Sequence, residues 1–266
     1  MSQHGPRDLT NPEFWDDWYE TGSQKTAQKA AGTLKENDWS IGRSGTFIRM
    51  VTRHLGSIEN QRLLEVGGGG PNLRLLAIRK WLRPHITVLD YSPHGIALVE
   101  KSFEAHGETL DTIEDDFFTI DLSENPFDIV LHWGVLEHFD DPAPFLQACS
   151  RALKPGGRML FGMPNMLAWG AQFWKRWSPE NWSVHILHED QDVISCAEEA
   201  GLELVSAFHC GTPLFRITPW EKKGPAQFTL TVAQAGIRRL TRIAPVIDRL
   251  QSPRFSAERV FLFEKR

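Results

Sequence analysis

The chain has 266 residues, a formal net charge of −5 and three cysteines. That length supplies one α/β domain with additions and a large core, and the acidic balance excludes a nucleic-acid partner held through a basic surface. Cys149, Cys196 and Cys210 form no C-x-x-C pair, no apolar run nears the roughly 20 residues of a membrane span, and residues 1–6 lack a signal peptide's apolar core, so a reduced cytoplasmic protein is expected.

Residues 11–55 read as a helical extension, with Asn11 as N-cap, Pro12 at the first helical position and acids in the first turn. Phe14 and Trp18, and Trp15 and Tyr19, are spaced i, i+4, which predicts a packed aromatic face. The first strand, Leu63-Leu64-Glu65-Val66, runs into Gly67-Gly68-Gly69-Gly70, with Pro71 expected to open a helix. Bare glycines bring backbone N–H groups against a ligand. A phosphate loop would need Lys-Ser/Thr after the glycines, where Asn72-Leu73 stands. A dinucleotide fingerprint would need Gly at 72 or 73, and both fail. Glu65 at the strand tip would repel a pyrophosphate but pair with an ammonium, which points to S-adenosylmethionine.

The second strand, His85 to Asp90, ends in an acid placed to take both hydroxyls of a ribose, with Tyr91-Ser92-Pro93 opening the next helix. A third, about Thr109 to Glu114, leads to Asp115-Asp116-Phe117, an acid and an aromatic suited to an adenine amino group and ring. Either Asp115 or Asp116 fits that place. The fourth, Pro126 to Trp133, is a continuous apolar run expected of a central parallel strand. After a helix, Leu153-Lys154-Pro155-Gly156-Gly157 is expected to turn into a fifth strand, Met159 to Met163. The sixth, Leu202 to Phe208, and the seventh, Arg259 to Phe263, complete the set.

Leu-Leu-Glu-Val-Gly at 63–67, Val-Leu-Asp at 88–90, Phe-Asp-Ile-Val at 127–130, Val-Leu-Glu-His-Phe at 135–139 and Leu-Lys-Pro-Gly-Gly at 153–157 occur in one order over roughly residues 60–165. In these motifs the chain resembles the class I S-adenosylmethionine-dependent methyltransferases, notably the small-molecule branch of the ubiquinone and menaquinone biosynthesis type. It departs at Pro71, where the family has its third loop glycine. The resemblance implies a doubly wound, Rossmann-like, mainly parallel seven-stranded sheet with helices on both faces. It also implies an N-terminal helical cap over residues 1–55, and a methyltransferase domain over 56–266 with lid insertions at about 165–187 and 211–255.

On that basis Tyr19, Glu65, Gly67, Gly68, Gly69, Asp90, Tyr91, Asp115, Asp116, Phe117, His132, Trp133 and Gly134 are expected on the cofactor side. For His132 a buried core role is the other reading. His138 and His185 are expected near the acceptor as general bases. Trp169, Trp174 and Trp177, in the densest aromatic cluster of the chain, are expected to wall the acceptor. The acceptor is expected to be a small, apolar or aromatic molecule methylated on oxygen or nitrogen. No metal is expected, because His185-x-x-His188-Glu189 lacks the i, i+4 pair of a zinc helix and a third ligand. The apolar stripe and arginines of 236–250 read as a surface helix, and no membrane contact is expected. Two other classes stay open: a nicotinamide-dependent reductase, and a non-catalytic methyltransferase-like partner subunit.

Overall fold

A computed structural model describes residues 8–19, 43–70, 72–211 and 252–266, with parts of 224–236. The arginine-bearing stretch at 236–250 lies almost wholly outside the described residues, as does Pro71. Seven strands form one sheet: β1 (Arg62–Val66), β2 (His85–Asp90), β3 (Asp111–Glu114), β4 (Phe127–Trp133), β5 (Leu153–Pro164), β6 (Leu202–Cys210) and β7 (Glu258–Lys265). Their order is β3-β2-β1-β4-β5-β7-β6, with β7 antiparallel to both neighbours and the other pairings parallel. This is the expected Rossmann-like sheet.

Alternation along the strands feeds two cores. On one face Leu63, Ile129, Leu131 and Leu262 pack with α2 (Arg43–Leu55), α3 (Leu73–Leu82) and α4 (Pro93–Glu104). On the other, Leu64, Val130, Phe161 and Phe263 pack with α5 (Pro142–Ala152) and α8 (Asp190–Glu199). β4 is buried on both faces, as its unbroken apolar run requires.

The caps follow the sequence closely. Asn11 accepts from the Phe14 N–H at 2.8 Å to start α1 (Pro12–Trp18), and Ser92 accepts from Gly95 N–H at 2.8 Å to start α4. Phe14 stacks on Trp18, with ring centroids 6.4 Å apart. Two boundaries differ from expectation. α3 begins at Leu73, after Pro71, because the Asn72 side chain caps it by accepting from Leu75 N–H at 3.1 Å. The Lys154–Gly157 turn lies inside β5: Leu153 pairs with Phe127, and the register then jumps to Arg158 opposite Ile129. The segment between β5 and α8 folds as α6 (Ala171–Trp177) and α7 (Pro179–Ser183).

The strand order reverses between β1 and β4, so a crevice opens at the carboxyl ends of β1, β2 and β4. The glycine loop, Asp90 and Gly134 all lie at those ends.

Candidate active site

Gly67 leaves β1 with φ +66° and donates to Leu89 O at 2.8 Å, turning the loop across β2. A Cβ there would lie 2.7 Å from Val135 Cγ2, so the turn has no space for a side chain. Gly69 N–H donates to Asp90 Oδ2 at 2.8 Å, and Ser92 N–H donates to Asp90 Oδ1 at 2.9 Å. The Asp90 carboxylate thus braces the loop and the start of α4 together. Burial raises its pKa above the ordinary carboxylate value, against the lowering effect of those two amides. Tyr19, at the end of α1, lies over the same loop. A Cβ on Gly70 or on Gly95 would each fall 2.7 Å from its ring, and burial holds the phenol protonated.

Glu65 lies beneath the loop, buried, with Oε2 accepting no hydrogen bond. Burial pushes its carboxyl up to about 8, with Arg74 and Asn72 pulling the other way. An uncompensated buried carboxyl is costly and is relieved by a cation. The folded pKa exceeds the unfolded value, so the folded state holds an extra proton between about pH 4.5 and 8. Stability therefore falls as pH rises through that window, by up to about 1.4 kcal/mol per pH unit. Denaturant unfolding of the ligand-free protein from pH 5 to 8 is expected to show this decline, and Glu65→Gln should flatten it.

The crevice is a cavity of about 590 Å³, open mouth included. It brings together Tyr19, Gly67, Asp90, Tyr91, Asp116, Phe117, Gly134 and His138 of the expected residues. It also recruits Thr10, Trp15, Phe118, Val135, Phe139 and Phe145. Of the two acids after β3, Asp116 lines the cavity. Both are exposed, and Asp115 Oδ1 accepts from the Asp116 N–H at 2.7 Å. Phe117, Phe139 and Phe145 form an apolar wall from which a flat ring gains most by burial.

The far end is closed by the N-terminal segment. Asp8 bridges to Phe139, and Leu9 N–H donates to His138 O at 2.9 Å. Trp15, held by its Nε1–H to Thr10 Oγ1 at 3.0 Å, meets the His138 ring edge-on at 5.3 Å. His138 is buried in the 3₁₀ turn Leu136–His138, and its ring lies 4.5 Å from that of His185. The expected pair of histidines, 47 positions apart in the chain, is therefore adjacent in space. His138 Nδ1 contacts Val184 O at 2.7 Å and His185 Nδ1 contacts Asn181 O at 2.6 Å. A carbonyl only accepts, so both Nδ1 atoms donate a proton to it.

Other expected residues lie elsewhere. His132 is fully buried between Phe161, stacked at 4.5 Å, and Phe145, edge-on at 4.8 Å. Burial drops its pKa to about 3, so it is a neutral core side chain rather than a lining one. Trp133 packs on the opposite face, against Phe47 and under the Arg74 guanidinium. Gly68 is pinned over Glu65, its absent Cβ only 2.5 Å from Glu65 Cγ.

Of the lid tryptophans, none lines the cavity. Trp169 is 53% exposed, and Trp177 pairs with the Arg176 guanidinium. Trp174 is buried, donates Nε1–H to Asn181 Oδ1 at 2.8 Å, and meets the His185 ring edge-on at 4.6 Å. Asn181 thereby links Trp174 to His185, so Trp174 positions the histidine. Trp174→Ala is expected to cost about 3–5 kcal/mol of stability, read from the urea midpoint. A cost under about 1 kcal/mol would place this indole outside the packed core.

A family profile described as "Methyltransferase domain" matches residues 39–207, well over half of the chain. The chain belongs to that family. The matched region takes in the glycine loop, all of β1 to β5, and both histidines. Among curated relatives, the ubiquinone biosynthesis O-methyltransferase of Cereibacter sphaeroides is 31% identical over 157 residues. That match covers 55% of this chain and 62% of the relative. Among solved structures, the [4+2]-cyclase SpnF has a TM-score of 0.64 at 17% identity, over 99% of both chains. The phosphoethanolamine N-methyltransferase 2 of Haemonchus contortus, solved with S-adenosyl-L-methionine, has a TM-score of 0.62 at 16% identity. It is matched over 94% of this chain and 60% of its own. At those identities the structural likeness speaks for the fold, which the methyltransferase and the cyclase share. A nicotinamide reductase finds no support in any of these comparisons. Among the described residues, no helix is long and apolar enough to cross a membrane.

Proposed function

We propose that the protein transfers a methyl group from S-adenosylmethionine to an oxygen of a small, largely apolar or aromatic molecule. The observation that carries this is one cavity lined at one end by Gly67, Asp90 and Asp116 and at the other by His138. Methyl transfer needs a donor and an acceptor held in line and shielded from water, and a crevice with two chemically distinct ends and an aromatic wall supports that reading. The relatives named as ubiquinone biosynthesis O-methyltransferases favour oxygen over nitrogen.

The residues fit the donor. Glu65 offers a buried carboxyl oxygen without a partner, the group that an amino-acid ammonium satisfies. Asp90 and Tyr91 would hold the ribose, and Asp116 with Phe117 the adenine, as all four line the cavity. When bound, S-adenosylmethionine supplies a sulfonium methyl of electrophilic character. The chain's own part is to orient and to move a proton. His138, which lines the cavity, or His185, whose ring lies against that of His138, would take the hydroxyl proton from the acceptor, while Trp15 and the Phe117–Phe139–Phe145 wall keep water out.

Glu65 gives a distinctive test. At pH 7 it is mostly protonated in the free protein and must ionise to pair with an ammonium, so cofactor binding should release close to one proton. Affinity should rise with pH and level off near 8. Calorimetry at pH 7 in buffers of different ionisation enthalpy measures this release, and its absence from the wild-type protein would remove Glu65 from the donor site. Turnover is tested with radiolabelled methyl donor and a panel of phenols, amines and thiols. Labelling of amines alone would move the acceptor atom to nitrogen.

A further inference from the structure

His138 lines the far end of the cavity, and two polar side chains that do not line it, Glu137 and His185, lie against His138. Glu137 precedes His138, is buried, and is fixed at its backbone carbonyl by the Ile186 N–H at 2.7 Å. That bond ties the 3₁₀ turn to the segment carrying His185. Glu137, His138 and His185 each offer one ligating atom, and these atoms lie within 4.8 Å of one another. Any three points so spaced have a common centre within roughly 2.8 Å of each, so sub-ångström shifts of each side chain reach bond lengths of about 2.0–2.2 Å. We propose that these three residues bind one divalent transition-metal ion next to the acceptor end of the cavity, which His138 lines.

Two observations beyond proximity support this. Both histidines donate Nδ1–H to a backbone carbonyl, Val184 O and Asn181 O. That contact fixes ring orientation and engages Nδ1 as a donor, as in metal-bound imidazoles that ligate through the other ring nitrogen. The Asn181 bond is braced in turn by Trp174. Two imidazoles and one carboxylate also form a donor set with a preference. They suit zinc, iron(II), cobalt or manganese over magnesium or calcium, which favour oxygen-rich shells. Three protein ligands leave at least one position open, as in catalytic zinc sites, for water or an acceptor oxygen. The sequence pattern hides this site because the third ligand lies in a lid far down the chain. His188, the nearer candidate by spacing, is instead bound through Nε2 to Phe139 O at 3.0 Å.

The metal claim rests on the proposed acceptor site; an ion held there would take the imidazole lone pairs, so it would stand in place of an imidazole base, not beside it, in helping the acceptor lose its proton. The full chain, stripped with a chelator and dialysed, is titrated with Co²⁺ and with Zn²⁺. The expected result is one equivalent bound, with cobalt d–d absorption of low coordination number and a raised melting temperature. In His185→Ala, affinity for either ion should fall by more than the roughly 10–100-fold that losing an outer-shell partner costs. Glu137→Gln is the second variant, and retained S-adenosylmethionine binding certifies the fold of both. No saturable ion binding by wild type, or equal binding by wild type and both variants, would overturn the proposal. A Glu–imidazolium ion pair in place of the metal would give the first of these outcomes. If the stripped protein still methylates its acceptor at full rate and binds no ion, the metal fails and the methyltransferase reading survives. If Co²⁺ binds as described but S-adenosylmethionine does not, the methyltransferase reading fails and the metal site survives.

Discussion

Asp90→Ala is expected to weaken S-adenosylmethionine binding by about 10²-fold or more, because the variant removes two things together. One is a carboxylate at the end of β2, facing the cavity. The other is the acceptor for the Gly69 and Ser92 amides, at 2.8 and 2.9 Å. Hydrogen bonds to a charged group contribute roughly 1.5–3 kcal/mol each, and an amide left unsatisfied adds to the loss. About 2.8 kcal/mol corresponds to a hundredfold change in affinity. Asp90→Asn keeps one carbonyl acceptor and the side-chain volume, so it should fold nearly as well as wild type and lose less affinity. Calorimetry for binding and urea unfolding for stability separate the two contributions. An Asp90→Ala protein that binds the donor like wild type would detach the end of β2 from the cofactor.

His138→Ala and His185→Ala are each expected to lower turnover by roughly 10²–10⁴-fold, the range for loss of a positioned acid–base group. Cofactor affinity should change little, since neither ring belongs to the glycine-loop end of the cavity. His138 is the more severe of the two. It is buried, packed edge-on against Trp15, and joined through its backbone carbonyl to Leu9. His185 is half-buried in the lid, so its variant reports more cleanly on chemistry. Steady-state kinetics with donor and acceptor varied independently make the measurement. Losses below about tenfold in both variants would leave alignment and desolvation as the whole of the catalysis. A metal held between the rings would produce the same loss, with turnover of the stripped wild type restored by added ion.

The sheet and the donor end were largely legible in the chain itself. The apolar runs of β1, β2 and β4, each ending in Gly or an acid, determine a parallel doubly wound sheet. Local chemistry fixes where helices start, since Asn11, Ser92 and Asn72 cap through their own side chains. The glycine run likewise specifies the turn of the loop, because backbone φ is a property of a few neighbouring residues.

Tertiary structure decided whatever depends on which side of an element meets which neighbour. It put Asp116, and not Asp115, on the lining of the cavity. It buried His132 between two phenylalanines, because strand alternation aims residue 132 into the core while Gly134 escapes past the strand end. Trp174 was drawn from the acceptor wall into a bracing role, and Trp15, from the other end of the chain, took the lining position. The grouping of Glu137 and His138 with His185 required the segment after β5 to return to the turn that follows β4. No spacing rule carries contacts of that sequence separation; they exist because closing the crevice buries aromatic surface, and that burial is decided by the whole fold.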